Sequence, residues 1–207
     1  MNTISIIGVG NMARAIGVRA IAGGLAVEVI GRDPAKAEAL AAALGDGATT
    51  GTFGAAPAGD IVILAVLNAA AVPVVTRYGN ALAGKVIIDI TNPVNADATG
   101  LVTPDGTSTA QEIAKAAPAS APVVKAFNTI FGQSLAPGRT PDVLFAGDDH
   151  QAKARVSAFI DNLGLRPLDA GGLEMAHWLE GAALLMINLA RHGVGNIDFT
   201  LAVNPLA

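Results

Sequence analysis

The chain contains no cysteine, which excludes disulfides, thiolate nucleophiles and cysteine-held zinc or iron–sulfur centres. Its three histidines, His150, His177 and His192, lie far apart and form no HExxH pattern. No metal site is expected. Aromatic residues make up only 4% of the chain and charged residues 14%. The 13 Lys and Arg residues are scattered, and net charge is −4. Without a basic run or basic–aromatic interleaving, nucleic acid is not an expected partner. The chain does not open with a basic segment and a cleavable apolar stretch. Its longest apolar stretch near the end, 181–190, is broken by Asn188 and is too short to cross a bilayer. The expected location is the cytoplasm, with no membrane partner.

What is present is apolar: hydrophobic residues make up 52% of 207. A core of Ala, Val, Leu and Ile with few rings suits helices packed on a parallel sheet whose strands are buried on both faces. Short β-rich runs alternate with Ala-rich helical runs. Strands are expected at 3–7, 26–30, 49–52, 60–67, 85–90, 122–127, 141–147 and 165–169. Helices are expected at 11–22, 34–44, 68 to about 80, 110–117 and 148–163, with a long apolar helix at 173–191 after the Gly171-Gly172 break. An irregular tail, 193–207, follows. Asp33 and Pro34 form a cap and first turn for the second helix. The alternation predicts an α/β, Rossmann-type doubly wound, mainly parallel sheet with a C-terminal helical appendage. The expected division is a dinucleotide-binding domain at 1–170 and a lid or dimerisation element at 171–207.

Directly after the first strand, Gly8-Val9-Gly10-Asn11-Met12-Ala13 fits GxGxxA. The first glycine allows the tight turn, the second admits a pyrophosphate to the backbone, and the alanine lets helix pack on strand. The amides that open the helix then face the phosphates. An NAD enzyme usually carries an acid at the end of the second strand to bind the ribose 2′-hydroxyl. Here Gly31 and Arg32 stand there. A glycine leaves room for a 2′-phosphate, an arginine grips one, and Lys36 adds a second cation one helical turn on. Glu28 lies too early in its strand and Asp33 is used as a cap, so NADP(H) is expected over NAD(H).

In such sheets the ligand lies across the carboxyl ends of the strands. Three ends should line it: Ala65-Val66-Leu67-Asn68, Ile90-Thr91-Asn92-Pro93 and Ala126-Phe127-Asn128-Thr129. Asn92 and Asn128 are candidates for ribose hydroxyls or the carboxamide. No acid–base couple is evident, and Lys125 and Asp89, both inside strands, read as members of a buried ion pair. Hydride transfer to a flavin-type ring needs little acid–base help, because the ring is the electron sink.

The segments GVGNMA, IGRDPAKAEAL, DIVILAVL, VIIDITNPV, VVKAFNTIFGQSL and GGLEMAHWLEGAALLMINLA…GVGNIDF together resemble the coenzyme F420-dependent NADP oxidoreductase family. DITNP and VVKAFNT are also similar to the cytosolic reductase domain of the six-transmembrane ferric reductases. The resemblance implies direct hydride transfer between NADP(H) and a deazaflavin (coenzyme F420) or a flavin such as FMN or FAD, with no dedicated catalytic acid or base. It implies a 2′-phosphate grip at Arg32 and Lys36, with Gly31 replacing the Ser or Thr that members often carry. It places the nicotinamide at Asn92, Pro93, Asn128 and Thr129, and implies a homodimer built through the C-terminal helix. An acceptor ring against the nicotinamide would have Phe131, Met175, Trp178 and Met186 as candidate contacts. Each of the four also fits simple core or dimer packing, and His177 and His192 read as surface or interface residues. Two alternatives share the GxGxxA domain. One is an NADP(H)-dependent reductase of a small imine or of a 2- or 3-hydroxy acid, its site completed by a dimer. The other is a non-catalytic NADP(H)-binding redox sensor.

Overall fold

The computed structural model describes residues 3–204. Eight strands form one sheet: β1 (Thr3–Ile7), β2 (Ala26–Ile30), β3 (Ala48–Gly51), β4 (Ile61–Leu64), β5 (Val86–Asp89), β6 (Val123–Ala126), β7 (Asp142–Gly147) and β8 (Arg166–Asp169). Six α-helices flank it: α1 (Asn11–Ala22), α2 (Pro34–Leu44), α3 (Asn68–Tyr78), α4 (Thr109–Ala116), α5 (His150–Asn162) and α6 (Ala176–Asn188). The strand order is β3-β2-β1-β4-β5-β6-β7-β8. All neighbours are parallel except β6 and β7, which run antiparallel. The order reverses between β1 and β4, which is where a doubly wound sheet opens a crevice.

The period-two pattern of the strands decides which layer each side chain joins. Ile4, Ile6, Ile61 and Ile63 pack under α1, α2 and α5. Ile7, Val62, Leu64 and Ile87 pack on the other face with Ala71, Val74 and Val75 of α3 and Ile113 of α4. Two covered faces explain why the central strands read as continuous apolar runs. Asp33 caps α2, its carboxylate accepting from the Ala35 amide at 3.1 Å, with Pro34 in the first turn.

Most boundaries shift by one or two residues from the sequence expectation, and three differences matter here. β4 ends at Leu64, because residues 65–67 already form the turn into α3. β3 lies one residue earlier than 49–52, at Ala48–Gly51. The helix expected over 173–191 is three pieces: a 3-10 turn (Leu173–Met175), α6, and a π turn (Leu189–Val194). α6 turns Leu179, Ala183 and Met186 inward, while Trp178 and Leu185 remain exposed. No described helix is long and apolar enough to cross a membrane.

The last described residues run back along the body. The Ser134 hydroxyl donates to the Phe199 carbonyl at 3.0 Å, the Val203 amide to Asp142 at 2.7 Å, and Phe199 meets Phe131 edge-on at 5.5 Å. The final positions of the expected tail, 205–207, lie outside the described residues, as do positions 1 and 2.

Candidate functional site

A cleft of about 1000 Å³ opens at the carboxyl ends of β1, β2, β4 and β5, at the upper end of the roughly 300–1,000 Å³ usual for cofactor pockets. It is lined by the whole Gly8–Met12 loop, by Gly31, Arg32 and Lys36, by Ala65 to Leu67, and by Asn92. Tertiary structure thus gathers four separate sequence segments at one opening.

The loop geometry follows from its glycines. Gly8 has φ +133°, and a Cβ there would stand 2.0 Å from the carbonyl oxygen of Ala65. Only glycine can hold that turn. At Gly10 an added Cβ would meet nothing within 4 Å, so this position faces open space. Gly10 is the N-cap of α1, without a side-chain cap bond and with no acid in the first turn. The opening amides of a three-turn helix, with their partial positive charge, are left for an anion. Arg32, Lys36 and Arg77 line the same cleft, and none of them forms an ion pair among the described residues. A phosphorylated ligand with more than one anionic group fits this donor set.

Glycine at position 31 has a packing reason of its own. A Cβ there would lie 3.0 Å from Cγ1 of Val9 and 3.1 Å from the Asp33 carbonyl. Glu28 is engaged elsewhere: its carboxylate accepts from the Ser5 hydroxyl at 2.5 Å and the Ala58 amide at 2.8 Å. Asp33 also lines the cleft, with one carboxylate oxygen given to the Ala35 amide.

Beyond the loop, Phe127, directly after β6, has φ +61°, a strained value for a bulky residue. Its ring is buried against Phe159 at 6.1 Å. The turn brings Asn128 to Asn92: the Asn128 amide donates to Asn92 Oδ1 at 3.0 Å and to the Leu179 carbonyl at 2.8 Å, and the Asn92 amide donates to the Asn128 carbonyl at 2.8 Å. Asn92, Asn128, Thr129, Phe131 and Met186 line a second cavity of about 70 Å³ beneath α6. Asn92 belongs to both cavities. Asn128 Oδ1 and Thr129 Oγ1 are buried with no hydrogen-bond partner among the described residues, an acceptor and a hydroxyl of the kind a carboxamide satisfies.

The other sequence candidates are placed apart from these cavities. Pro93 is buried and lines neither; its carbonyl accepts from the Val102 amide at 2.7 Å. Met175 sits in the 3-10 turn before α6. Trp178 is 66% exposed and meets His177 edge-on at 5.1 Å. Helical spacing explains the split: Leu179, Ala183 and Met186 share the inner face, and Trp178 lies on the opposite one. His177 bonds the Thr107 carbonyl at 2.9 Å, and His192 is exposed.

Lys125 and Asp89 form the ion pair, at 2.8 Å, and a third member joins them. Glu180 of α6 lies 2.8 Å from Lys125 Nζ, and all three side chains are fully buried. The third ammonium bond goes to the Thr91 carbonyl at 2.5 Å. Burial pushes the Glu180 carboxyl above its ordinary value, against the pull of Lys125. This triad ties α6 to the strand ends beside the cleft. Sequence reasoning missed Glu180; its signal was a lone acid inside an otherwise apolar helix. It also missed Phe53 and Arg77, and with them the face of α3 that lines the cleft.

Residues 3–93 match the family described as NADP oxidoreductase, coenzyme F420-dependent. The metalloreductase STEAP3 of Rattus norvegicus is 29% identical over 187 residues, covering 89% of this chain and 37% of that protein. The chain therefore spans little more than a third of the length of this relative. A crystal structure of a proposed F420-dependent NADP-reductase from Arthrobacter sp. FB24 superposes with a TM-score of 0.83 at 25% identity, over 97% of this chain and 99% of that one. An imine reductase from Aspergillus terreus, in complex with NADPH4 and dibenz[c,e]azepine, superposes with a TM-score of 0.70 at 21% identity, over 91% of this chain and 61% of that one. The latter shows a shared fold.

Proposed function

We propose that the protein, whose residues 3–93 match the coenzyme F420-dependent NADP oxidoreductase family, transfers a hydride between NADP(H) and a deazaflavin or flavin-type ring. The observation that carries this reading is Asn92, which lines both the large cleft and the small cavity under α6. A dinucleotide laid along the cleft, phosphates on the Gly8–Met12 loop, would bring its nicotinamide to that junction.

In this reading Arg32 and Lys36 hold the 2′-phosphate, and the α1 amides hold the pyrophosphate. Asn128 Oδ1 and Thr129 Oγ1, buried without partners among the described residues, receive the carboxamide. The nicotinamide supplies the hydride chemistry when bound. The chain's own residues fix its orientation and exclude water: Phe131 and Met186 give the neighbouring cavity an apolar wall. The acceptor ring takes up the hydride with its electron pair, and a solvent proton balances the charge, so no protein acid is required. Trp178, Leu185 and Leu189 are exposed on α6 and the turn after it. They support a homodimer formed through this helix.

The test is turnover. The full chain is mixed with NADPH and, in turn, coenzyme F420, FMN, FAD or a ferric chelate, and nicotinamide absorbance is followed. Oxidation with a deazaflavin or flavin is the expected result. NADPH binding without oxidation by any of the four would overturn the enzymatic reading.

A further inference from the structure

Lys125, Asp89 and Glu180 line neither cavity, yet their hydrogen bonds converge on the strand ends beside both. The three N–H donors of the Lys125 ammonium go to Asp89 Oδ2 at 2.8 Å, Glu180 Oε1 at 2.8 Å and the Thr91 carbonyl at 2.5 Å. Asp89 Oδ1 accepts from the Thr91 amide at 2.9 Å. The triad thus holds both backbone groups of Thr91, and the Thr91 carbonyl lies in the peptide bond that leads to Asn92. On its other side, Glu180 accepts from the Thr109 amide at 3.0 Å, which docks the start of α4 on α6. The peptide bond joining Leu179 to Glu180 carries the carbonyl that receives the Asn128 amide at 2.8 Å. A carbonyl can only accept, so the Asn128 nitrogen faces it and Asn128 Oδ1 is turned away. A buried ion cluster is weak evidence for stability, because well-packed apolar side chains of similar volume often do as well. The hold on residues 91 and 179 gives this cluster another use.

Resting on the NADP(H) reading of the cleft, we propose that the triad is a set of positioning residues for the nicotinamide end: Asp89 and Lys125 place Asn92 through Thr91, and Glu180 orients Asn128 through the Leu179 carbonyl. Asn92 and Asn128 bond each other in both directions, so a shift at either strand end moves the pair. Asn128 Oδ1, unpartnered among the described residues, is an acceptor. It suits the N–H of a carboxamide and offers nothing to a ketone. The triad thereby sets which head group the junction prefers. Glu180→Leu removes one carboxylate and leaves Lys125 and Asp89 as a charge-balanced pair, while the anchor beside Leu179 is lost. Asp89→Asn keeps the volume but offers one acceptor where Lys125 and the Thr91 amide need two.

The experiment titrates oxidised NADP, its 3-acetylpyridine analogue and 2′-phospho-ADP-ribose into the parent chain and into Glu180→Leu, Asp89→Asn and Glu180→Gln, with melting temperatures as a folding control. The analogue carries a methyl ketone in place of the carboxamide, and 2′-phospho-ADP-ribose lacks the nicotinamide. The parent is expected to prefer NADP to the analogue by about tenfold, the effect of one hydrogen bond. Glu180→Leu and Asp89→Asn are expected to lose that preference and to bind 2′-phospho-ADP-ribose as the parent does. Glu180→Gln still offers Lys125 an acceptor and is expected to keep it. Where one of the first two does not fold, the other decides. Equal weakening of all three ligands marks a merely structural role and overturns the proposal, as does a preference retained in Glu180→Leu and Asp89→Asn. A parent that binds all three ligands alike overturns it too, but leaves the NADP(H) reading standing. A parent that binds none of them overturns that reading itself.

Discussion

The carbonyl oxygen of Ala65, where the chain leaves β4, lies 2.0 Å from the point a Cβ on Gly8 would occupy. β4 therefore closes directly on the first turn of the phosphate loop, and the Gly8 amide is held by the Ile30 carbonyl at 2.8 Å. The two loop glycines have different surroundings: a Cβ at Gly8 would collide with backbone, and one at Gly10 would meet nothing within 4 Å.

Two alanine variants test that difference. Gly8→Ala combines a positive φ with a backbone collision and should destabilise the protein by about 3 kcal/mol. Gly10→Ala adds a methyl to open space and should leave stability within about 0.5 kcal/mol, while weakening NADPH by about 1–3 kcal/mol through crowding of the pyrophosphate. Urea unfolding and NADPH titration of both variants check the contrast. Equal loss of stability in the two would refute it.

Arg32→Ala should weaken NADPH by about 1.5–3 kcal/mol, the range for a lost hydrogen bond to a charged group, and change NADH affinity little. Paired titrations of the two dinucleotides decide it; a variant that keeps the parent's NADPH affinity rules out the 2′-phosphate assignment.

The Lys125–Asp89–Glu180 triad predicts both a mutant effect and a pH effect. Lys125→Met leaves two buried carboxylates uncompensated and should destabilise by about 3–5 kcal/mol. Burial raises the Glu180 carboxyl in the folded protein, so the folded state binds this proton more tightly than the unfolded chain. Its stabilising contribution is full below the unfolded value, about pH 4.3, and is lost as pH climbs through the higher folded value. Glu180→Gln cannot ionise and should flatten that decline. Urea midpoints measured from pH 4 to pH 8, on a scale set by ordinary carboxyl titration, test the point; parallel profiles for parent and variant would count against it.

Arg19 of α1 is buried, and its guanidinium donates to the carbonyls of Leu135, Ala136, Arg139 and Leu163 at 2.7–3.0 Å. Burial lowers its pKa from the usual arginine value. Arg19→Met strands these acceptors and should destabilise by about 3 kcal/mol, most visibly as faster hydrogen exchange in residues 132–139. A loss spread evenly over the whole sheet would indicate a packing defect instead.

Local pattern carried much of this structure. The GxGxxA loop, the Asp33–Pro34 helix start and the double-sided apolar strands are each specified within a few residues, where steric and capping rules act. The sequence by itself thus determined the doubly wound sheet, the phosphate loop and the Gly31-Arg32 pair. Partnerships across long separations had no such local signature. Nothing near Lys125 announces that Glu180 will answer it from α6, and nothing near Arg19 announces four carbonyls from two distant turns. Arg77 reads as an ordinary last-turn helix cation until the sheet brings Phe53 beneath it. Which face of α6 turns inward, and so why Met186 lines the small cavity and Trp178 does not, was decided only when the buried triad fixed the rotation of that helix against the strand ends.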